Sequence, residues 1–96
     1  MIKLKTIQRA SDLLNKMYCT DEYVDCEGVF ARIDGVYYDI YYGQVRITAS
    51  WAHNNLSFRR QIWLPSCVET ARDVAIHVMA YITTETEEDL KKEGQE

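Results

Sequence analysis

The stretch from Gly28 to Leu64 constrains the fold of this chain most, because apolar and polar residues alternate along almost all of it. A strand directs successive side chains to opposite faces, so this alternation predicts a half-buried antiparallel sheet. Two pairs suit tight turns: Asp34-Gly35, typical of a type I′ hairpin, and Gly43-Gln44. A third turn falls at Asn54-Asn55, where the loop could hold two residues or four. The stretch therefore predicts a four-stranded meander.

The predicted turns fix the register between neighbouring strands. The first turn would place Ile33 opposite Val36, and the second would place Tyr42 opposite Val45. In this register one face of the sheet is apolar, with Val29, Ala31, Ile33, Val36, Tyr38, Ile40, Val45, Ile47, Ala49, Trp51, Leu56, Phe58, Ile62 and Leu64. Both lengths of the third loop keep β-strand side chains on the same faces, because they differ by an even number of residues.

The opposite face is polar and aromatic, with Phe30, Arg32, Tyr37, Asp39, Tyr41, Arg46, Thr48, Ser50, Arg59, Gln61 and Trp63. The predicted register places Arg46 beside Tyr41, and the shorter third loop would bring Trp63 across from Arg46 at cation–π range. This face is either a solvated surface whose aromatic residues favour strands, or a contact surface, since Tyr, Trp and Arg are enriched at interface hot spots.

Helices are predicted on both sides of this stretch. From about Thr6 to Tyr18, apolar residues recur every three or four positions: Ile7, Ala10, Leu13, Leu14 and Met17. The preceding MIKLK is too short to decide between strand and helix. After Pro65, the sequence Ser66-Cys67-Val68-Glu69 fits a capping box that begins a second helix, running to about Thr83.

Two helices covering the apolar face of the meander would give an α+β, two-layer domain of order α-β-β-β-β-α. We predict one domain over residues 1–84. Residues 85–96 contain little that could pack, and we predict a flexible acidic tail there.

Charge is unevenly distributed along the chain. The formal net charge is −4, and the tail supplies all of this excess. Six acidic residues, the candidates for an acidic partner-binding surface, fall within residues 20–39: Asp21, Glu22, Asp25, Glu27, Asp34 and Asp39. Residues 40–64 contain three arginines and no acid. The molecule is therefore expected to be dipolar, and net charge alone neither favours nor excludes a nucleic-acid partner.

The sequence predicts no enzyme, cofactor or metal site. Cys67 and His77 would lie roughly 15 Å apart on one helix, beyond hydrogen-bond reach. The spacing of Cys19 and Cys26 is too long for a tight zinc knuckle, and no second close pair exists. Three cysteines leave one unpaired, and no long apolar segment is present, which favours a reduced cytoplasmic protein without membrane contact.

Two resemblances follow from these features. The α-β-β-β-α order resembles the double-stranded-RNA-binding domain, but the last helix opens SCVETARD, which is acidic where that family is basic. In size, in the run Asp21-Glu22-Asp25-Glu27 and in the lack of catalytic residues, the chain resembles phage inhibitors of host defence complexes, the anti-CRISPR and anti-restriction proteins. That resemblance implies a viral protein acting in the host cytoplasm.

The first functional hypothesis is therefore a non-enzymatic protein-binding module, an inhibitor that blocks a nucleic-acid-binding complex through an acidic, DNA-mimicking surface. The alternative is a single-stranded nucleic-acid-binding domain that uses the other face of the sheet. Its candidate residues are Tyr37, Tyr41, Arg46, Arg59 and Trp63. The oligomeric state is left open by the sequence.

Overall fold

The computed structural model describes residues 2–21, 30–53 and 56–94. The elements are α1 (Leu4–Asp21), β1 (Ala31–Asp39), β2 (Gln44–His53), β3 (Leu56–Leu64) and α2 (Ala71–Gly94). The strands form one antiparallel sheet in the order β1-β2-β3. The α+β class, the two helices and the antiparallel meander are thus confirmed, while the described residues form three strands rather than four.

The predicted hairpin at Asp34-Gly35 is wrong, because β1 runs straight through this pair. The register against β2 shifts between Ile33 and Gly35, which marks a β-bulge. A bulge adds one residue to one strand, so Ile33 and Val36 fall on the same face, as they would on either side of a two-residue turn. Alternation alone cannot distinguish these two arrangements.

The connection between β1 and β2 is also longer than predicted. Asp39 pairs with Gln44 and Tyr38 with Val45, so residues 40–43 form the turn. Its last residue, Gly43, has a φ of 65°, a conformation in which glycine carries no steric penalty. Ile40, predicted to be buried, is therefore in the turn and is 86% exposed.

Buried residues of both helices and of one face of the sheet, the inner face, form a single core cluster. Its sheet residues match the predicted apolar face: Ala31, Val45, Ile47, Ala49, Trp51, Phe58, Ile62 and Leu64 are buried. Trp51 stacks on Phe58 with ring centroids 5.3 Å apart. The helices contribute Ile7, Ala10, Leu14, Tyr18, Val74, Ala75, Val78 and Ile82. Leu56 is 38% exposed, so it lies at the margin of this core rather than within it.

Helix α1 covers the outer edge of β1. Asn15 Oδ1 accepts hydrogen bonds from the amides of Phe30 and Ala31, at 2.7 and 3.0 Å. Ser11 Oγ accepts one from the Ile33 amide at 2.9 Å. Near the end of α1, the Tyr18 hydroxyl donates to the Ala52 carbonyl of β2 at 2.6 Å. These side chains fix the helix against one side of the sheet.

The bounds of both helices differ from those predicted: α1 is longer at both ends, and α2 begins later and ends later. Helix α1 begins at Leu4, which assigns Leu4 and Lys5 to helix. Helix α2 begins later than predicted: Thr70 Oγ1 accepts the Asp73 amide at 3.1 Å and is the N-cap. The Ser66 capping box is therefore wrong, and the Val68 amide donates instead to the Pro65 carbonyl at 3.1 Å in a turn. Helix α2 then runs to Gly94 rather than to Thr83.

Two further findings concern the helices and the cysteines. Within the described part of the chain, neither helix is long and apolar enough to cross a membrane. Cys19 is disulfide-bonded, whereas Cys67 is free and exposed. The expectation of fully reduced cysteines is therefore wrong. Because disulfides persist mainly in oxidising compartments, the cysteines no longer favour the cytoplasm.

Candidate contact surface on the outer sheet face

The outer face of the sheet, whose side chains lie outside the core cluster, carries its residues in rows that cross all three strands. Antiparallel pairing aligns Tyr37, Arg46 and Trp63 in one row. The next row contains Gly35, Thr48 and Gln61, and the row after it contains Arg32, Ser50 and Arg59. Two residues of strand separate successive rows, a spacing of about 7 Å. The face is therefore an ordered array of aromatic, cationic and small polar side chains.

The row of Tyr37, Arg46 and Trp63 forms a cation–π ridge. The Arg46 guanidinium carbon lies 5.0 Å from the Tyr37 ring centroid and 5.3 Å from the Trp63 ring centroid. Arg46 sits on the central strand and the rings on the two flanking strands, so one cation contacts both aromatic residues. Tyr37 is 54% exposed and Trp63 is 48% exposed. The predicted Arg46–Trp63 contact is confirmed, whereas the predicted neighbour Tyr41 is replaced by Tyr37.

Arg32 and Asp34 form an ion pair on the same face. The Arg32 Nε lies 2.5 Å from Asp34 Oδ1, and the Ser50 hydroxyl donates to Asp34 Oδ2. The bulge in β1 brings Asp34 over this face, where its side chain is only 19% exposed. Its carboxylate is thus neutralised by a neighbour. Arg59, in the same row as Arg32, is exposed and has no ion pair among the described residues.

The turn between β1 and β2 adds apolar surface at one end of the sheet. Ile40, Tyr41 and Tyr42 are 86%, 87% and 70% exposed. The two tyrosine rings make an edge contact with centroids 4.8 Å apart. The Tyr42 amide donates to Asp39 Oδ1 at 3.1 Å, which holds the turn in place. Tyr41 therefore projects from the turn and does not join the ridge.

The predicted acidic surface is only partly within the described residues. Glu22, Asp25 and Glu27 lie outside them, and only the backbone of Asp21 is described, at the end of α1. The two acids that the structure describes fully, Asp34 and Asp39, belong to the sheet and each accepts local hydrogen bonds. The structure thus places these two with the aromatic and arginine residues of the outer face.

The structure also has a cavity away from the outer face of the sheet. A cavity of about 560 Å³ lies between the start of α1 and the connection from β3 to α2, lined by both apolar and polar residues, Ile2, Lys3, Val68 and Glu69 among them. Across the described residues, no three His, Cys, Asp or Glu side chains gather closely enough to hold a metal ion.

Comparison with known proteins found no match to this chain among family models, characterised proteins or solved structures. The functional interpretation therefore depends on the geometry of the outer face.

The sequence analysis named Asp34 as a candidate of the acidic surface but missed its ion pair on the outer face, and it did not assign Tyr18 to the core. Asp34 was assigned to a turn, and its position over the outer face follows from a bulge that local sequence does not distinguish from that turn. Tyr18 was left out of the core, although it continues the spacing of Ile7, Ala10 and Leu14 by four residues and is 5% exposed.

Proposed function

We propose that this protein is a non-enzymatic protein-binding module and that the outer sheet face is its contact surface. The observation that carries the proposal is the ridge: Arg46 lies between two half-exposed aromatic rings on a face that neither helix covers. Tyr, Trp and Arg are the residues that dominate interface hot spots. Their mutual contacts fix the side chains before binding, which reduces the entropy lost on association.

The composition of the face supports binding rather than acid–base chemistry. Its central groups are a guanidinium, which supplies hydrogen-bond donors and positive charge, and two aromatic rings, which supply contact area. The exposed Ile40 and Tyr42 at the adjacent turn would extend the contact surface with apolar area. A protein partner offers carboxylates for the arginines and apolar side chains for the rings.

Affinity capture tests this proposal with charge-matched variants. Wild-type protein, Arg46→Glu and Arg72→Glu would each be immobilised and exposed to lysate from the source cells. Arg72 is an exposed arginine of α2, on the helical side of the domain, so its variant controls for net charge. We expect wild type and Arg72→Glu to retain the same proteins and Arg46→Glu to lose them. Retention by a folded Arg46→Glu variant would contradict the proposal.

Single-stranded nucleic acid is a second candidate for the same face. It is favoured by the exposed Tyr37 and Trp63 rings beside the cationic Arg59, because bases stack on aromatic side chains and arginines meet phosphates. Two features rank it below a protein partner: Arg46 already contacts both rings, and Asp34 neutralises Arg32. Saturable quenching of Trp63 fluorescence by an oligonucleotide, abolished by Arg46→Ala and steeply salt-dependent, would reverse this ranking.

Inhibition of a nucleic-acid-binding complex through an acidic, DNA-mimicking surface is retained as a separate proposal. It rests on the acids at positions 21–27, which would steer a basic target by long-range attraction. Replacing Asp21, Glu22, Asp25 and Glu27 with their amides should then slow association with a basic partner. A partner whose association rate is unchanged by these replacements would contradict it.

A further inference from the structure

The two edges of the sheet differ in how their backbone groups are satisfied. At the β1 edge, Asn15 and Ser11 of α1 accept the outward amides of Ala31 and Ile33. The β3 edge is the other end of the sheet, and no strand pairs with it in the part of the chain that the structure describes. Strand β3 is nine residues long. A long unprotected edge strand is a template for pairing with another chain.

Hydrogen bonding within the sheet determines which groups of β3 point outward. Alternate residues of an antiparallel strand direct their N–H and C=O groups to opposite neighbours. The Ala52 amide of β2 donates to the Phe30 carbonyl at 2.9 Å, so even-numbered residues of β2 face the β1 side. The odd-numbered residues of β2 therefore face β3, and the unbroken β2–β3 register pairs them with the even-numbered residues of β3. The outward groups of β3 belong to Ser57, Arg59, Gln61 and Trp63.

One outward carbonyl already accepts a side-chain donor. Arg60 Nη1 donates to the Arg59 carbonyl at 2.9 Å. This bond occupies the position that an N–H group of an added strand would take, and it shows that the edge can accept a donor there. Because the guanidinium is on a flexible side chain, an incoming backbone amide can replace it.

The charge of this region specifies the chemistry of the incoming strand. Residues 40–64 contain three arginines and no acid, and the exposed Arg59 lies at the edge itself. A second copy of the chain would place the Arg59-Arg60 pairs of two β3 strands close together in an antiparallel, two-fold arrangement, where like charges repel. An acidic segment would instead pair its carboxylates with these arginines.

We propose that the β3 edge binds an extended, acidic segment of a partner protein as a fourth strand of the sheet. The backbone of the segment would pair with Ser57, Arg59, Gln61 and Trp63, and its carboxylates would meet Arg59. This inference deepens the proposed function, because the added strand would lie directly beside the ridge residue Trp63. It gives the binding mode and the chemical class of the partner.

Peptide binding tests the inference directly. The probe is a labelled, end-capped nonapeptide of alternating glutamate and valine, with two controls: its lysine counterpart, and the same glutamate peptide with alternate amides N-methylated. We expect saturable binding of the glutamate peptide only. Hydrogen exchange should show fast exchange of the Arg59 and Gln61 amides in the free protein and slow exchange in the complex, while Arg60 and Ile62 are slow in both.

Variants at position 61 test the backbone contact. Gln61→Pro removes an outward N–H, which an edge strand tolerates, whereas Gln61→Ala removes only the side chain. We expect Gln61→Pro to weaken peptide binding by about tenfold, and Gln61→Ala to leave it unchanged. Exchange in the wild-type protein supplies an independent result if the proline variant does not fold.

Three outcomes would overturn the inference: no binding of the glutamate peptide at about 1 mM, the weakest affinity of interest; equal binding by both folded position-61 variants; or exchange protection away from β3.

Failure of the proposed function would give a different result. A captured partner lost by Arg46→Glu but kept by Gln61→Pro would support the contact surface and reject the added strand. If the peptide binds at β3 but the captured partner is insensitive to Arg46→Glu, the added strand would be supported and the contact surface rejected.

Discussion

The side-chain oxygen of Asn15 in α1 accepts the backbone amide of Ala31, the first residue of β1, at 3.0 Å. The same oxygen accepts the Phe30 amide at 2.7 Å. Helix α1 thus terminates the sheet on this side with side-chain acceptors in place of a neighbouring strand. The two edges of the sheet are therefore chemically different, which directs any added strand to β3.

Asn15→Ala should destabilise the domain by about 1–2 kcal/mol, because two amides at the β1 edge lose their acceptor and Ala31 is buried. Asn15→Asp keeps an oxygen at this position and is the matched control, expected to melt near wild type. Urea denaturation followed by circular dichroism gives both values. Equal stability of Asn15→Ala and wild type would mean that this edge contact contributes nothing.

Thr70→Ala should lower the free energy of unfolding by about 1 kcal/mol, since the Asp73 amide loses its capping acceptor. Ser66→Ala is the control, because Ser66 is exposed and lies in the turn before α2, where the Val68 amide donates to the Pro65 carbonyl. Thermal melts of the two variants measure the difference. A loss of stability in Ser66→Ala alone would restore the helix start predicted from sequence.

Gly43→Ala should destabilise the domain by about 1 kcal/mol, because its φ of 65° is unfavourable for a residue with a Cβ. Gly35→Ala should have a smaller effect, as a Cβ built there meets no atom within 4 Å and the backbone φ is not positive. Comparing the two variants distinguishes a bulge from a type I′ turn at Asp34-Gly35. A type I′ turn would require a positive φ at Gly35, and Gly35→Ala would then destabilise the domain more than Gly43→Ala does.

Tyr38→Phe should leave stability unchanged or raise it slightly. Among the described residues, the Tyr38 hydroxyl is buried without a hydrogen-bond partner, and removing an unsatisfied polar group relieves a desolvation cost of about 1–3 kcal/mol. Ile33→Ala is a useful comparison on the same strand, since it removes packed apolar atoms and should destabilise. Denaturation midpoints measure both effects. Clear destabilisation by Tyr38→Phe would indicate that the hydroxyl has a partner in solution.

Removing residues 86–96 should leave a cooperative melt close to that of the full chain. The segment carries most of the acidic excess and a single leucine, so little apolar surface is lost. The truncation retains Glu85, whose Oε1 accepts the Tyr81 hydroxyl at 2.9 Å. A loss of several kcal/mol, as expected for deletion of packed core, would show that the end of α2 is part of the folded domain.

The sequence predicted the inner face of the sheet well because alternation survives changes of register by an even number of residues. Tyr38 pairs with Val45, where Tyr42 was expected, yet this shift of four residues leaves each strand facing the same way. The same reasoning placed Arg46 opposite Trp63, since the β2–β3 register depended only on the length of one loop. The other ring of the ridge, Tyr37, was identified as a face residue but not as a neighbour of Arg46.

The sequence by itself determined the apolar stripe of α1 and the separation of apolar from polar sheet residues, because both follow from local periodicity. Tertiary structure decided the rest. At Asp34-Gly35 a turn and a bulge place Ile33 and Val36 on the same face, so only the pairing of the whole of β1 with β2 selects the bulge. That pairing, and not any local propensity, brings Asp34 over Arg32 and Tyr37 beside Arg46, because each contact joins residues whose proximity depends on the strand register.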